Sequence, residues 1–573
     1  MPGRSRHPLA LAPAPALALA AIALVTLALT LRSATIGFAT DDHGFRAALA
    51  STSSHARPFY DLFRFQSGDP SENELFVLTG HSPWWSAPDL KIHFLRPLTS
   101  ALFAADAAVF GDHPLGYHLD AIAWFLALVA AVALLYRRLL PGPSGLVALA
   151  VFALRSAHVL AWAWPSARHL VVGGLPAVLA LHAHVRARED GWRPGRVLAP
   201  VLLVVALAGS EAALAGVVFW IAYELAHSRK FLVPVVISAV YLVVYKLAGG
   251  GVVASGAYHD PLSDPVGFVA VAATRVPILL GDALVGIRAE LAAALPLAPL
   301  VAAGLGAAVL VALAVRAVRP DPRERSALVW LVPAAVCACV VGAAGFPSGR
   351  VLLIPDIGFA ALVGTLIHRG VLARPRWLGL GIAGVLAALH LVLAPIASLG
   401  VVRSFEQRAR ASEAVAHAVV AQAPDTRHVF LVAASDPLVF LYPRAVLALD
   451  RATPRCWSVL SAVRAPHRLT RLGPRSFALE PLGRPLGLGP FEVLFRAASR
   501  PFAAGDTVRQ CGARIRVAAV DEAGHPTRLE VGVAEPGAAA FFAWRDGALG
   551  RIELPALGES VELPWSPGPT GIL

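Results

Sequence analysis

Apolar runs of about 20 residues alternate with shorter polar segments along the first 402 residues of the chain. The first run, residues 9–31, follows Arg4 and Arg6, and residues 32–35 are a poor match to a cleavage site. It therefore predicts an uncleaved membrane helix whose N-terminus is cytoplasmic. Further runs long enough to span a bilayer lie at residues 119–136, 146–164, 170–185, 197–209, 212–225, 233–247, 295–315, 327–344, 351–367 and 378–399.

Loop charges test this set of spans. A further apolar segment, residues 266–287, is interrupted by Arg275 and Asp282, so we predict a partly buried or interfacial helix there. Counting it as a span would invert the later loops and break the positive-inside pattern. Eleven spans is the self-consistent number, and it places both the loop 34–116 and the C-terminus outside the cytoplasm. The loops then assigned to the cytoplasm are rich in Arg or Lys: 137–138, 186–196, 227–230, 316–325 and 368–376.

Composition agrees with a multi-pass membrane protein. Of 573 residues, 57% are hydrophobic and 15% are charged, and the mean hydropathy is +0.65. Soluble domains carry about 25% charged residues, so an ordinary soluble protein is excluded. The net charge of +12 is explained by cytoplasmic loops. No basic run with interleaved aromatic residues indicates nucleic-acid binding, so we predict membrane lipid and no nucleic acid as partners.

From residue 403 the pattern becomes that of a water-soluble domain. Residues 404–423 predict a helix, and Cys456 and Cys511 lie where a disulfide would be possible, although the sequence does not establish one. The predicted fold class is mainly α: a polytopic helix bundle (1–402, including the external loop 34–116) with a C-terminal extracytoplasmic α+β domain (403–573). Strands of the domain are predicted at 428–433, 476–479, 491–495, 513–520, 528–533 and 541–544.

The external loop contains the most distinctive polar residues of the chain. Asp41 and Asp42 lie just beyond the first helix, and a carboxylate pair can act as a general base or hold a divalent cation. The alternative is that one of them only caps a helix starting near Gly44. Trp84 and Trp85 are predicted to anchor the loop at the membrane interface, and residues 100–110 predict an interfacial helix.

Other charged residues at helix ends fit an anionic ligand. Arginine suits phosphate because its guanidinium stays charged and makes bidentate contacts. Arg96 could instead snorkel at the interface, His158 could be a packing residue, and Glu211 could be an incidental interfacial carboxylate. Together these residues predict a site for a lipid phosphate at the outer membrane face: Asp41, Asp42, Arg96, His158, Arg168, Glu211 and Arg350.

These residues and the predicted topology resemble the GT-C superfamily of integral-membrane glycosyltransferases, and within it the protein O-mannosyltransferase-like branch. The resemblance covers about residues 9–400. It is carried by the uncleaved first helix, Asp41-Asp42, and segments 95–99 (LRPLT), 110–118 (FGDHPLGYH), 157–159 (AHV), 163–164 (AW), 166–168 (SAR), 346–350 (FPSGR) and 352–355 (LLIP). The chain departs from the branch at Arg155-Ser156, which is usually His-Pro, at Leu160, usually Glu, and at Ser210, commonly Lys.

The resemblance implies an inverting glycosyltransferase of the hexosyltransferase type in a bacterial-type inner membrane. The donor would be a polyprenyl-phosphate sugar, and one of Asp41 and Asp42 would be the base that deprotonates the acceptor hydroxyl. Arg96 and Arg350 would neutralise the lipid phosphate, and His158, Arg168 and Glu211 would flank the substrate. The sugar and the acceptor stay open, as does the cofactor, for which a divalent cation is the candidate.

Two other functions are compatible with the sequence. A non-catalytic scaffold of the same fold would use the C-terminal domain for binding, and its polar residues would be scattered. A lipid or solute transporter would have inverted repeats or broken helices near the middle of the membrane. Gly173, Gly174 and Pro176 offer one such break, but no counterpart is evident elsewhere.

Overall fold

The computed structural model describes residues 13–50, 56–434, 441–450 and 456–568. Arg4, Arg6 and the start of the first apolar run lie outside the described residues. The helices are α1 Pro13–Thr30, α2 Asp41–Ala50, α3 Pro70–Leu78, α4 Pro97–Phe110, α5 Pro114–Leu139, α6 Pro143–Ala153, α7 Val159–Ala163, α8 His169–Glu189, α9 Gly195–Gly209, α10 Leu214–His227, α11 Leu232–Leu247, α12 Pro265–Val285, α13 Leu297–Val318, α14 Pro322–Gly342, α15 Asp356–Leu372, α16 Arg376–Ala387, α17 Ala394–Gln422, α18 Pro443–Leu449 and α19 Pro490–Phe495.

Within the described residues, seven helices are long and apolar enough to cross a membrane, or eight if the bent pair formed by α6 and residues 156–163 is one span. Four predicted spans correspond to shorter helices: α9 with 15 residues, α10 with 14, α11 with 16 and α15 with 17. At 1.5 Å per residue they are roughly 21–26 Å long, less than the hydrocarbon thickness of about 30 Å. The protein is an integral multi-pass membrane protein, and the count of eleven spans stays a prediction.

Helix α12 contains the two charges that interrupt the apolar segment 266–287. The Arg275 guanidinium donates hydrogen bonds to the carbonyl oxygens of Ala343 (3.0 Å), Gly345 (2.6 Å) and Ala257 (3.0 Å). Asp282 accepts a hydrogen bond from the Ala289 amide at 2.9 Å. Because both charged groups are solvated by the protein itself, the helix continues through them. The predicted helix is confirmed, but α12 is one of the seven helices that are long and apolar enough to cross a membrane, so its length and composition do not support leaving it out of the spans.

The C-terminal part is built on two sheets. Its strands are β4 His428–Ala433, β5 Cys456–Val459, β6 His467–Gly473, β7 Ser476–Pro481, β8 Thr507–Gln510, β9 Ala513–Val520, β10 Pro526–Val533, β11 Ala539–Arg545, β12 Ala548–Ile552 and β13 Ser560–Leu563. One sheet is antiparallel in the order β13-β6-β7-β10-β9-β8, and the other has the order β12-β11-β4-β5 with parallel pairing between β11, β4 and β5. Helix α17 is continuous over 29 residues, so the predicted boundary at 402 falls inside it.

One predicted strand is wrong. Residues 491–495 belong to α19, which begins at Pro490. Proline is favoured in the first helical turn, and the Glu492 carboxylate accepts a hydrogen bond from the Gly489 amide at 2.8 Å, which stabilises the helix start. A five-residue apolar run fits a strand and a short helix equally well, so the pattern alone did not decide between them.

The external loop and the C-terminal domain pack into one unit. Three strands, β1 Arg64–Ser67, β2 Lys91–His93 and β3 Gly251–Val253, form a small antiparallel sheet in the loop region. Trp84 and Trp85 are 1% and 3% exposed in the hydrophobic core of the C-terminal domain, and the Trp84 indole donates to the Leu460 carbonyl at 2.9 Å. The prediction that these tryptophans are interfacial anchors is therefore wrong, because the domain covers them.

Cys456 and Cys511 form a disulfide, which settles what the sequence left open. The bond joins residues 55 apart in sequence, next to the Leu78–Gly80 end of α3. We expect a Cys456→Ala/Cys511→Ala variant to lose about 2–4 kcal/mol of unfolding free energy, because the unfolded chain regains loop freedom. Denaturant titration in detergent measures this loss. A Cys337→Ala/Cys339→Ala variant is the control, and equal losses in both variants would contradict the prediction.

Candidate functional site

Asp41 and Asp42 are the first two residues of α2. The preceding residue, Thr40, has φ = 49°, a left-handed conformation that is rare for a β-branched residue. Such strain persists only where surrounding contacts enforce it, and it is common at functional sites. Here the strained turn starts the helix and directs the two neighbouring carboxylates to different partners.

The Asp42 carboxylate is fully used by hydrogen bonds inside the protein. Its Oδ1 accepts from the Ser166 amide at 2.8 Å and from the Ser166 hydroxyl, and its Oδ2 accepts from the Ala39 amide at 3.0 Å. Burial raises the pKa of Asp42 to about 7, against the lowering effect of these bonds. Asp42 therefore ties the start of α2 to the segment before α8 and has no oxygen left for a substrate.

Asp41 is different, because only one of its oxygens is occupied. Oδ1 accepts a hydrogen bond from the Tyr442 hydroxyl at 2.5 Å, and Oδ2 accepts none from any described residue. Burial raises the pKa of Asp41, while the bond from Tyr442 and the charges of Arg350 and Arg96 lower it. The four predicted residues Asp41, Arg96, Glu211 and Arg350 therefore come together at this site.

Arg350 is one of the two cations whose charges lower the pKa of Asp41. It lies in the turn Gly349–Leu352, half-buried, with its guanidinium 5.5 Å from the centre of the Trp164 ring. It forms no hydrogen bond or ion pair with the part of the chain that the structure describes. The turn itself is fixed, since Glu290 accepts hydrogen bonds from the Ser348 hydroxyl (2.9 Å) and the Gly349 amide (2.8 Å).

The turn also requires a glycine. A Cβ at Gly349 would lie 2.9 Å from the Cα of Ala157, closer than packed atoms tolerate. The close approach brings the segment that carries Arg350 against the segment 156–158. Arg350 is therefore held in place by its backbone and by the Trp164 ring, while its guanidinium stays available for an anion.

Arg96 is held by Glu211. Its Nε donates to Glu211 Oε2 at 2.8 Å, and a second nitrogen pairs with Oε1. The guanidinium also lies 4.6 Å from the ring centres of Phe63 and Phe94. This ion pair balances the charge of Arg96, so Arg96 acts on Asp41 through its field, and Arg350 is the more available group for an anionic ligand.

Two predicted residues lie in other clusters. His158 is completely buried, and its Nε2 lies 3.0 Å from Asp356 Oδ2, which also pairs with Arg155 Nε at 2.7 Å. Arg155 is thus the cation of a buried ion cluster. It stands at a position where the branch that the sequence resembles usually has His. Arg168 is also buried and pairs with two carboxylates, Asp106 and Asp120. Neither predicted residue contacts Asp41.

The carboxylate pair does not fit a divalent cation. Such an ion takes several oxygen ligands, and donors among the described residues already occupy three of the pair's four oxygens, all but Asp41 Oδ2. No group of three or more His, Cys, Asp or Glu side chains in the described ranges is arranged to hold a metal ion. The chemistry available here is that of one carboxylate base and one free guanidinium.

Sequence reasoning missed the residues that complete the site. Tyr442 is 401 residues from Asp41, and Ser166 is 124 residues from Asp42. Trp164 and Glu290, which support Arg350, were not predicted either. Trp164 lies within the predicted span 146–164, and Ser166 lies within the segment 166–168 that carries the family resemblance. The sequence around these two residues does not indicate that they lie close to Asp41 and Asp42.

The fold and this cluster define a multi-pass membrane protein with a polar site where the helix bundle meets the C-terminal domain. No family model matches the sequence, and no curated protein is similar to it. Solved structures are similar in fold. ArnT from Cupriavidus metallidurans, bound to undecaprenyl phosphate, is 13% identical with a TM-score of 0.39, over 78% of this chain and 90% of ArnT.

A second similar structure is the oligosaccharyltransferase of Archaeoglobus fulgidus, tethered to an acceptor peptide. It is 12% identical with a TM-score of 0.40, over 77% of this chain and 63% of that protein. At these TM-scores the similarity alone does not establish a common activity.

Proposed function

We propose that the chain is a membrane glycosyltransferase that transfers a sugar from a polyprenyl-phosphate donor to an acceptor hydroxyl. The observation that carries the proposal is that, among the described residues, one oxygen of Asp41 accepts no hydrogen bond and Arg350 forms no ion pair, while the charge of Arg350 acts on Asp41. A base and an anion-binding group are the two functions that this transfer needs. The site would lie at the outer face of a bacterial-type inner membrane, with the N-terminus cytoplasmic.

The reaction would proceed as a single displacement. Asp41 Oδ2 accepts the proton of the acceptor hydroxyl while the acceptor oxygen bonds to the anomeric carbon of the sugar. The bond from that carbon to the phosphate oxygen breaks, and the lipid phosphate leaves with the electron pair. Arg350 balances the charge that develops on the leaving phosphate. The protonated Asp41 then returns its proton to solvent, so no cofactor enters the balance.

Burial also supports the choice of Asp41 over Asp42. A base must be reachable by the hydroxyl that it deprotonates, and Asp41 is partly exposed, whereas Asp42 is fully buried. The raised pKa of Asp41 makes it a stronger base than an ordinary exposed aspartate. Because the base works only when ionised, activity is expected to fall as the pH drops through that pKa.

Convergence of the polar residues favours an enzyme over a non-catalytic scaffold. A non-catalytic scaffold has no need for polar groups that are available to a ligand. Asp41 and Arg350 would then be expected to form complete sets of contacts within the protein. A half-buried guanidinium that forms no ion pair with a described residue fits an anionic ligand that is bound and released. A transporter is less well supported, because α8 continues through Gly173, Gly174 and Pro176, and the described residues contain one bent helix pair, α6 with residues 156–163, without a counterpart.

Arg350→Gln is expected to raise the KM for the lipid-phosphate donor by roughly 10–100-fold, the value of a hydrogen bond to a charged group. Gln keeps much of the side chain's length but loses the charge that binds phosphate. The measurement is initial rate against donor concentration. Arg500→Gln, at an exposed ion pair with Asp89, is the matched control, and an unchanged KM in Arg350→Gln would rule out this role.

The proposed function is tested with membrane vesicles that contain the full chain. Polyprenyl-phosphate hexoses of different sugars are added, and the release of polyprenyl phosphate is followed, since that product forms whatever the acceptor is. Release above that of vesicles containing Asp41→Asn supports transfer. Equal release from both vesicles with every donor would contradict the proposal.

A further inference from the structure

Tyr442 brings the C-terminal domain into direct contact with the proposed base. It immediately precedes α18, and its hydroxyl donates to Asp41 Oδ1 at 2.5 Å. We propose that Tyr442 is a positioning residue for Asp41: it holds Oδ1 and leaves Oδ2 directed at the acceptor hydroxyl. This inference rests on the proposed function and adds the C-terminal domain to the reacting site.

The geometry supports positioning over simple packing. A carboxylate held at one oxygen cannot turn freely, so its second oxygen keeps a fixed direction, which a base requires. The short α18 helix packs against both α2 and α17. The hydroxyl is therefore held by the same contacts that fix the start of α2, and its position does not depend on a substrate.

Charge and protonation agree with this role. Burial and the neighbouring Asp41 raise the pKa of Tyr442, so its hydroxyl stays protonated at neutral pH and can only donate to an ionised carboxylate. The same hydrogen bond opposes the rise in the pKa of Asp41 that burial causes. Losing it removes one stabilising partner of the ionised base and leaves the ring packing in place.

Tyr442→Phe tests the inference in the full-length protein. We expect kcat to fall roughly 10–100-fold, the value of one hydrogen bond to a charged group, with little change in the KM for the donor. The acidic limb of the pH–rate profile should move to higher pH, because the pKa of Asp41 rises without the donor. Thermal unfolding in detergent shows whether the variant is folded.

Tyr223→Phe is the matched control. It also removes a tyrosine hydroxyl bonded to a carboxylate, Glu189 at 3.4 Å, but at the opposite end of the bundle from α2. It should leave kcat and the pH profile unchanged. In an Asp41→Asn background, Tyr442→Phe should have no further effect on the residual rate, because it acts through Asp41.

The outcomes separate this inference from the proposed function. An active wild type whose Tyr442→Phe variant keeps the same kcat and acidic limb would overturn the role of Tyr442 alone. A further loss in the Asp41→Asn background would also overturn it, since Tyr442 would then act elsewhere. A wild type inactive with every donor would overturn the proposed function and this inference with it.

Discussion

Asp41→Asn is expected to lower kcat by about 10²–10⁴-fold, the contribution of a general base, while the free energy of unfolding changes by less than about 1 kcal/mol. Asparagine can still accept the hydrogen bond from Tyr442 through its carbonyl oxygen, so the structure is kept. Its amide nitrogen replaces Oδ2 and cannot take a proton from the acceptor. The measurement is single-turnover release of polyprenyl phosphate, with denaturant titration of the same preparation.

Asp42→Asn is the matched control, and its effect should be mainly on stability. The three donors around Asp42 come from Ser166 and Ala39, on both carboxylate oxygens. An asparagine amide must face one of those donors, and the lost bond costs about 1–3 kcal/mol. Full activity in Asp41→Asn, or a larger loss of kcat in Asp42→Asn than in Asp41→Asn, would mean that the wrong carboxylate is assigned.

Arg155→Leu is expected to lower the free energy of unfolding by about 3–5 kcal/mol, the cost of breaking a buried ion pair. Arg155 pairs with Asp356 at 2.7 Å and donates to the Asp282 carbonyl at 2.6 Å, and the side chains of Arg155 and Asp356 are 3% and 0% exposed. Removing the guanidinium leaves Asp356 buried with only His158 as a partner. Equilibrium unfolding in detergent micelles measures the loss.

Two further variants make this result specific. Arg155→Leu/Asp356→Leu should recover part of the stability, because the Asp356 carboxylate no longer stays buried without its cation, whereas buried Asp282, 3.7 Å from Arg155, loses that partner in both variants. Arg500→Leu, which breaks the exposed pair with Asp89, should cost far less, because water screens that pair. Similar losses in Arg155→Leu and Arg500→Leu would show that the ion cluster does not stabilise the bundle.

Local pattern predicted the helices well and the site only in part. Apolar run length located α5 and α8, and the charge of the external loop singled out Asp41 and Asp42. What separates the two carboxylates is Ser166 on one side and Tyr442 on the other, both far away in sequence. Such contacts form only after the bundle and the domain have packed, so no spacing along the chain encodes them.

Burial by the C-terminal domain also explains why Trp84 and Trp85 were wrongly predicted to lie at the membrane interface. An exposed Trp-Trp pair near a membrane favours the interface, but Trp84 is buried by residues around Leu460. In the same way, the charges in segment 266–287 argued against a membrane span there. Arg275 is instead solvated by three carbonyls from other segments. A sequence pattern shows that burying a charged group is costly. The tertiary contacts determine whether hydrogen bonds from other segments compensate for that cost.

The burial of Trp84 has a consequence for the order of events during synthesis. Its carbonyl partner, Leu460, is made 376 residues later. At about 5–20 residues per second, the external loop waits roughly 20–75 s before the segment that covers it leaves the ribosome. Through this interval Trp84 lacks its cover and Asp41 lacks Tyr442. A nascent chain therefore carries an incomplete site until the segment that contains Tyr442 and Leu460 has folded against the external loop.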